Sequence, residues 1–214
     1  MKKLAVFGAS GKTGAQFVNQ ALKEGYSIKA LARNPGKIQD QSANLEVIKG
    51  DVLNAEDVAK TLSGTDMVVS LFGHVKGSPD GLQTQGTKNI IGAMKESGIN
   101  QIISLSGGGL PFPEKDQPKF PDKMIRFIMK IAVPKILNDA KDHAELLKKS
   151  DRDWIIVRGP RLTDDTKKED YRIGWVGVDA STKIGRADLA DFILQLCKEK
   201  EFEKYGKQMP FVSY

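Results

Sequence analysis

Near the N-terminus, Gly8-Ala9-Ser10-Gly11-Lys12-Thr13-Gly14 sets three glycines at three-residue intervals among small polar residues and one lysine. Such a turn binds phosphate. Glycines let the backbone come close to a pyrophosphate, and a helix starting there presents free N–H groups and a partial positive charge. The expected ligand is a dinucleotide. Ser10-Gly11-Lys12-Thr13 also looks like the tail of an NTPase phosphate loop, but that loop needs a glycine where Val6 stands. The remaining alternative is a glycine turn without a ligand. Arg33 lies about twenty positions further on, where an acidic residue would hold a ribose 2′-hydroxyl and an arginine accommodates a 2′-phosphate. With Lys37 nearby and Lys12 within reach of that phosphate, the spacing favours NADP(H) over NAD(H), the alternative being an arginine solvated at a strand end. Asp51 ends the third apolar run, where its carboxylate can accept from an adenine amino group or make a local turn contact. His74 is placed near the cofactor without a chemical role, and His74 and His143 are too far apart in sequence for a metal site.

Positioning these groups requires strands alternating with helices. Residues 4–7 read as a buried strand, and 15–22 carry apolar residues at helical spacing. Further strands are expected at 26–32, 45–48, 66–72, 100–106 and 154–157, with a helix starting at the cap residue Asn54. Another helix is expected over 81–97, capped from Ser78-Pro79-Asp80 and ended by Gly98. Residues 107–121 hold too much glycine and proline for a regular element and are read as a substrate-side lid. Residues 122–150 read as helix broken or kinked at Pro134, its apolar stretch 124–133 assigned to the core in preference to a substrate wall or partner surface. A short strand at 173–176, one helix over 187–199 and an extended segment at 209–212 complete the chain. The alternation argues for a parallel sheet covered on both faces.

The chain has 214 residues, enough for one substantial core, and is read as a single domain, 1–214. Its net charge of +6 comes from lysines spread along helix faces, and aromatics are only 7% of residues, so no nucleic-acid partner is expected. A basic surface instead suits an anionic small ligand. No apolar run reaches membrane-spanning length and no secretory signal opens the chain, so no membrane partner is expected and the location expected is the cytoplasm. The single Cys197 falls in the apolar pattern of a late helix and reads as an inert thiol.

The whole chain resembles the atypical short-chain dehydrogenase/reductase family, in particular its NmrA-like and flavin reductase or biliverdin-IXβ reductase-like members. The resemblance rests on the glycine turn, Leu31-Ala32-Arg33, Gly50-Asp51-Val52, Asp153-Trp154-Ile155-Ile156-Val157-Arg158 and Arg186-Ala187-Asp188-Leu189-Ala190. It implies a Rossmann-type doubly wound parallel sheet in three α/β/α layers, with a small C-terminal substrate-side region. By the same resemblance, the turn from Ser10 to Thr13 holds the pyrophosphate, Arg33 the 2′-phosphate, and Asp51 with Val52 the adenine. Phe72 and Gly73 would flank the middle of the cofactor, and Arg158, Gly159 and Pro160 its nicotinamide end.

Family members typically use Ser…Tyr-x-x-x-Lys, in which the tyrosine donates a proton to the substrate oxygen. Here no tyrosine lies between Tyr26 and Tyr171, and the helix that would carry it offers Lys141, His143 and Glu145. Ser106 and His143 are the catalytic candidates, Ser106 having the alternative reading of an ordinary strand-end serine. A reductase lacking the tyrosine suits an acceptor ring that spreads charge and takes its proton from water. The expectation is NADPH-dependent reduction of a flavin, quinone or similar planar small molecule by a monomer or small homo-oligomer. The alternative is a catalytically weak NADP(H)-binding redox sensor acting through a protein partner. Epimerisation of a sugar nucleotide is disfavoured, since it normally uses the same tyrosine.

Overall fold

The computed structural model describes residues 2–214. Its centre is an eight-stranded sheet in the order β3-β2-β1-β4-β5-β6-β10-β8. The strands are β1 Lys3–Phe7, β2 Ser27–Ala32, β3 Leu45–Lys49, β4 Met67–Ser70, β5 Gln101–Gly107, β6 Asp153–Gly159, β8 Arg172–Gly174 and β10 Phe211–Ser213. All neighbours run parallel except β8, which pairs antiparallel with β10. The order turns back between β1 and β4, and this switch point opens a crevice at the carboxyl ends of the strands.

Period-two alternation feeds two cores. Leu4 and Val6 of β1 point to one face, where they meet Phe17, Val18 and Ala21 of α1 (Lys12–Lys23) and the apolar side of α6 (Arg186–Gln195). Ala5 and Phe7 point to the other, against Val58 and Leu62 of α2 (Ala55–Leu62), Ile90 and Met94 of α3 (Leu82–Ser97) and Ala144 and Leu147 of α5 (Pro134–Lys149). Helices on both faces explain why β1, β4 and β6 are apolar almost throughout. This is the three-layer, doubly wound architecture expected.

Several local expectations change. The break or kink expected at Pro134 is a break, at Val133 (φ −139°), giving α4 (Phe120–Ala132) and α5, because Pro134 has no N–H to continue the ladder. The apolar stretch assigned to the core is not there. No residue of α4 is buried, and Phe120, Phe127 and Ile131 are 75%, 59% and 68% exposed. The expected helix over 187–199 is two, α6 and α7 (Glu199–Tyr205). The strand expected at 173–176 stops at Gly174, because the Trp175 N–H turns to Asp179 Oδ1 (2.8 Å). Helix α3 takes Gly81, in left-handed conformation, as its cap, whereas Ser78 Oγ accepts from Val75 N–H. A two-stranded parallel sheet, β7 (Arg161–Thr163) with β9 (Lys183–Gly185), was not anticipated. Cys197 is buried as expected, and burial pushes its thiol up to about 12.

Candidate functional site

The crevice begins at the glycine turn. Gly8 has φ +86°, and a Cβ there would lie 2.5 Å from Phe72 N, so only glycine lets β1 turn this close to the end of β4. A Cβ on Gly14 would lie 2.1 Å from Gly8 O, which fixes the third glycine. Gly11 N–H closes the turn on Gly8 O (3.0 Å) and Gly11 opens α1 without a side-chain cap. Ser10, Gly11 and Lys12 are exposed and the first turn of α1 holds no acid, while Thr13 is buried. The open N–H groups form the cradle a pyrophosphate needs.

On one side of the turn lies the adenosine end. Arg33 and Lys37 are exposed just beyond β2, and no carboxylate is within ion-pair distance of Arg33 among the described residues. Asp51 Oδ1 accepts from Leu53 N–H (3.0 Å), so the turn contact is made with one oxygen. Val52 is held by Asn89 Nδ2, which donates to its carbonyl (2.9 Å). Val52 and the half-buried Phe72 pack on Gly86, where a Cβ would fall 2.7 Å from the Phe72 ring. Gly73 is exposed beside them. Gln83 Nε2 donates to both Phe72 O and Leu105 O (3.4 Å each), tying together the ends of β4 and β5.

At the other side Ser106 is the last residue but one of β5. Its residue is 5% exposed and its Oγ has no hydrogen-bond partner. A buried hydroxyl left unpaired is costly, so this atom is a fitting donor for a bound ligand. Immediately beyond it a cavity of about 450 Å³ lies over the ends of β5, β6 and β10, roofed by α4. Gly107 to Gly109, Gly159, Pro160 and Phe211 form its floor, and Ile125, Arg126 and Met129 come from α4. Glycine allows the close approach here too, since a Cβ on Gly109 would meet Met129 Cε at 2.6 Å.

Four expected roles need correcting. Arg158 is fully buried and does not turn into the crevice. Its guanidinium donates to Asp116 through both nitrogens (2.7 and 2.9 Å), to Leu110 O and to Met209 O, and lies between the rings of Phe112 and Phe211. It anchors the 107–121 loop, so that loop is pinned and is no free lid. Only the Gly159 and Pro160 part of that trio lines the cavity.

His143 is 1% exposed and lines no part of the cavity. Its Nδ1 bonds Ala140 O (2.8 Å), leaving Nε2 to accept from Ser104 Oγ (3.3 Å), and burial pushes its pKa down. It packs α5 on β5 and cannot touch a substrate there. Lys12 Nζ is engaged with Asp164 (2.6 Å), which also binds Arg186, so it is not held towards Arg33. His74 ties its loop to Asp139 Oδ2 (2.6 Å). Burial opposes the charge on Asp139, but hydrogen bonds from Thr84, the Gln83 backbone and His74 outweigh it and hold the carboxyl below its usual range.

Arg126, Arg161, Asp116 and Asp139 escaped the sequence reading. Each is a single charge in a charge-rich stretch, and only the fold shows what it faces. No grouping of three or more metal-type ligands occurs among the described residues, and no helix there is long and apolar enough to cross a membrane.

Comparison with known proteins follows from this geometry. A family described as NAD(P)H-binding matches residues 8–200. The uncharacterised protein YwnB of Bacillus subtilis is 25% identical, with 93% of each chain covered. A wide-type short-chain dehydrogenase/reductase from Veillonella parvula, solved in complex with NADP, superposes with a TM-score of 0.81 at 16% identity, covering 100% of this chain and 94% of that one. The oxidoreductase ylbE of Lactococcus lactis gives 0.79 at 21% identity, covering 99% and 90%. These two superpositions establish the fold.

Proposed function

The chain belongs to the NAD(P)H-binding family, and on that premise we propose that it is an NADPH-dependent reductase of the flavin reductase or NmrA-like type, reducing a flavin, quinone or similar planar acceptor. Two observations support the reading: the buried, unpartnered Ser106 hydroxyl, one residue before the cavity-lining Gly107, and a largely apolar cavity whose lining includes no tyrosine, histidine, lysine or cysteine.

The residues present fit the cofactor. The glycine cradle at Gly8, Gly11 and Gly14 would hold the pyrophosphate, and the free Arg33 would hold a 2′-phosphate. The second oxygen of Asp51 would meet the adenine. When bound, the reduced dinucleotide supplies a hydride, that is, two electrons, and water supplies the accompanying proton. Ser106 donates a hydrogen bond that orients the reacting partners. Ile125, Met129 and Phe211 stack against a flat ring and exclude water from it. Orientation of this kind lowers a barrier by about 7 kcal/mol or more when the reacting atoms are well aligned, which suits a site without a tyrosine acid.

The test is NADPH oxidation, followed at 340 nm, with FMN, FAD, a series of quinones and biliverdin. Turnover with at least one is expected, and inertness across the panel overturns the reading. A binding-only redox sensor draws support from one feature, the outward apolar face of α4. It is distinguished by tight NADP(H) binding without turnover of any acceptor.

A further inference from the structure

Charge inside the acceptor cavity is unevenly paired. Asp116, outside the lining, takes two short bonds from Arg158, so those two charges answer each other. Arg126, on α4, makes only a long ion pair with the same Asp116 oxygen (3.9 Å), beyond hydrogen-bond reach, and lines the cavity. Arg161, just after Pro160, is exposed and also lines it, and no carboxylate lies within ion-pair distance of it among the described residues. The one acid in the lining, Asp122, has an oxygen committed to the Lys119 N–H at the start of α4 (2.9 Å). The remaining walls are mostly apolar, through Ile125, Met129, Val176 and Phe211, with Ser181 and Thr182 adding two hydroxyl residues.

Two guanidinium groups against one acid leave the lining with a surplus positive charge. Guanidinium has no acceptor capacity and is matched best by a planar or tetrahedral oxyanion, most strongly where water is scarce. A neutral ring would leave Arg161 without a counter-charge and Arg126 with only its long contact to Asp116, and a cationic one would be repelled.

We infer that the cavity takes an aromatic-sized acceptor bearing one oxyanion, a carboxylate or a phosphate, gripped between Arg126 and Arg161 while its ring rests on Ile125, Met129 and Phe211. This deepens the proposed function and rests on the cavity being the acceptor site. A volume of about 450 Å³ lies in the range of small-molecule pockets and has room for a fused ring system with one anionic substituent.

The experiment is equilibrium binding to the full chain, by calorimetry, of three inert probes of matched shape: 2-naphthoate, 2-naphthyl phosphate and the neutral 2-naphthamide. At least one anion is expected to bind tenfold or more tightly than the amide, and the tighter of the two identifies the headgroup. In Arg126→Met and Arg161→Met that preference should shrink at least fivefold, while amide affinity stays within twofold and so shows the cavity intact. Equal affinity for all three probes, or a preference that survives both substitutions, overturns the inference. Because no turnover is involved, a failed acceptor panel would leave this result standing, and a neutral preference would leave the reductase standing.

Discussion

A buried hydroxyl without a partner, as at Ser106, costs about 1–3 kcal/mol. Ser106→Ala should therefore raise the melting temperature of the cofactor-free protein, by about 2 °C or more, while lowering kcat/KM about tenfold. Calorimetric melts beside steady-state rates check this. A drop in both would mean that the hydroxyl supports the strand end alone. Arg33 is a different case, because exposure gives it no structural duty. Arg33→Asp should weaken NADPH binding by about tenfold or more, on the scale of one lost charge-assisted hydrogen bond, with NADH changed less than twofold. Fluorescence titration of both cofactors measures it, and an equal loss for the two would remove the 2′-phosphate role. The exposed position of Arg33 just beyond β2 was legible from its distance to the glycine turn, since that spacing is set by one helix and one strand. His143 and Arg158 were not. Where a side chain points depends on what packs around it, and both proved to be internal ties.

At the scale of elements, the β1–turn–α1 unit depends on contacts at the van der Waals limit. Gly14→Ala would force a methyl group to within 2.1 Å of Gly8 O. The expected cost is about 1–3 kcal/mol, with cofactor affinity falling further than stability because the cradle is distorted where the phosphate sits. Urea unfolding and NADPH titration on the same variant separate the two, and unchanged affinity would show that the turn relaxes without disturbing the site. This unit was legible because a strand period, a glycine pattern and a helix period succeed one another without ambiguity. The position of α4 was not. Periodicity reveals an apolar face but not what covers it, and 124–133 is apolar enough to pass for core. The fold instead uses its inner side, Met129 and Ile125, as a cavity roof and leaves Phe127 and Ile131 outside.

Across the whole molecule, buried titratable groups set the response to acid. His143 is held neutral by burial, so its folded pKa lies below the ordinary value of about 6.5 and the unfolded chain takes up a proton first. Stability should begin to fall as pH drops below about 6.5. A second loss should follow below about 3.9, the ordinary aspartate value, because Asp116 and Asp139 are depressed in the fold. Burial works against the charge on Asp116, but the Arg158 hydrogen bonds and the Phe112 and Val176 N–H groups outweigh it. Urea midpoints between pH 7 and 5 should slope less in His143→Gln than in the wild type, and an unchanged slope would assign that loss elsewhere. Asp116→Asn should cost about 3–5 kcal/mol at neutral pH, because it strands a buried guanidinium. The layered architecture behind this was legible from alternating strands and helices, whereas the ties across it join residues too far apart in sequence to show a pattern. The break at Val133, finally, divides labour between two helices: α5 is built into the core, and α4 contributes no buried residue of its own. Residues 119–133 thus form an interchangeable part. Substitutions on the outer face of that one helix should therefore leave the folded core, and with it the glycine cradle, undisturbed.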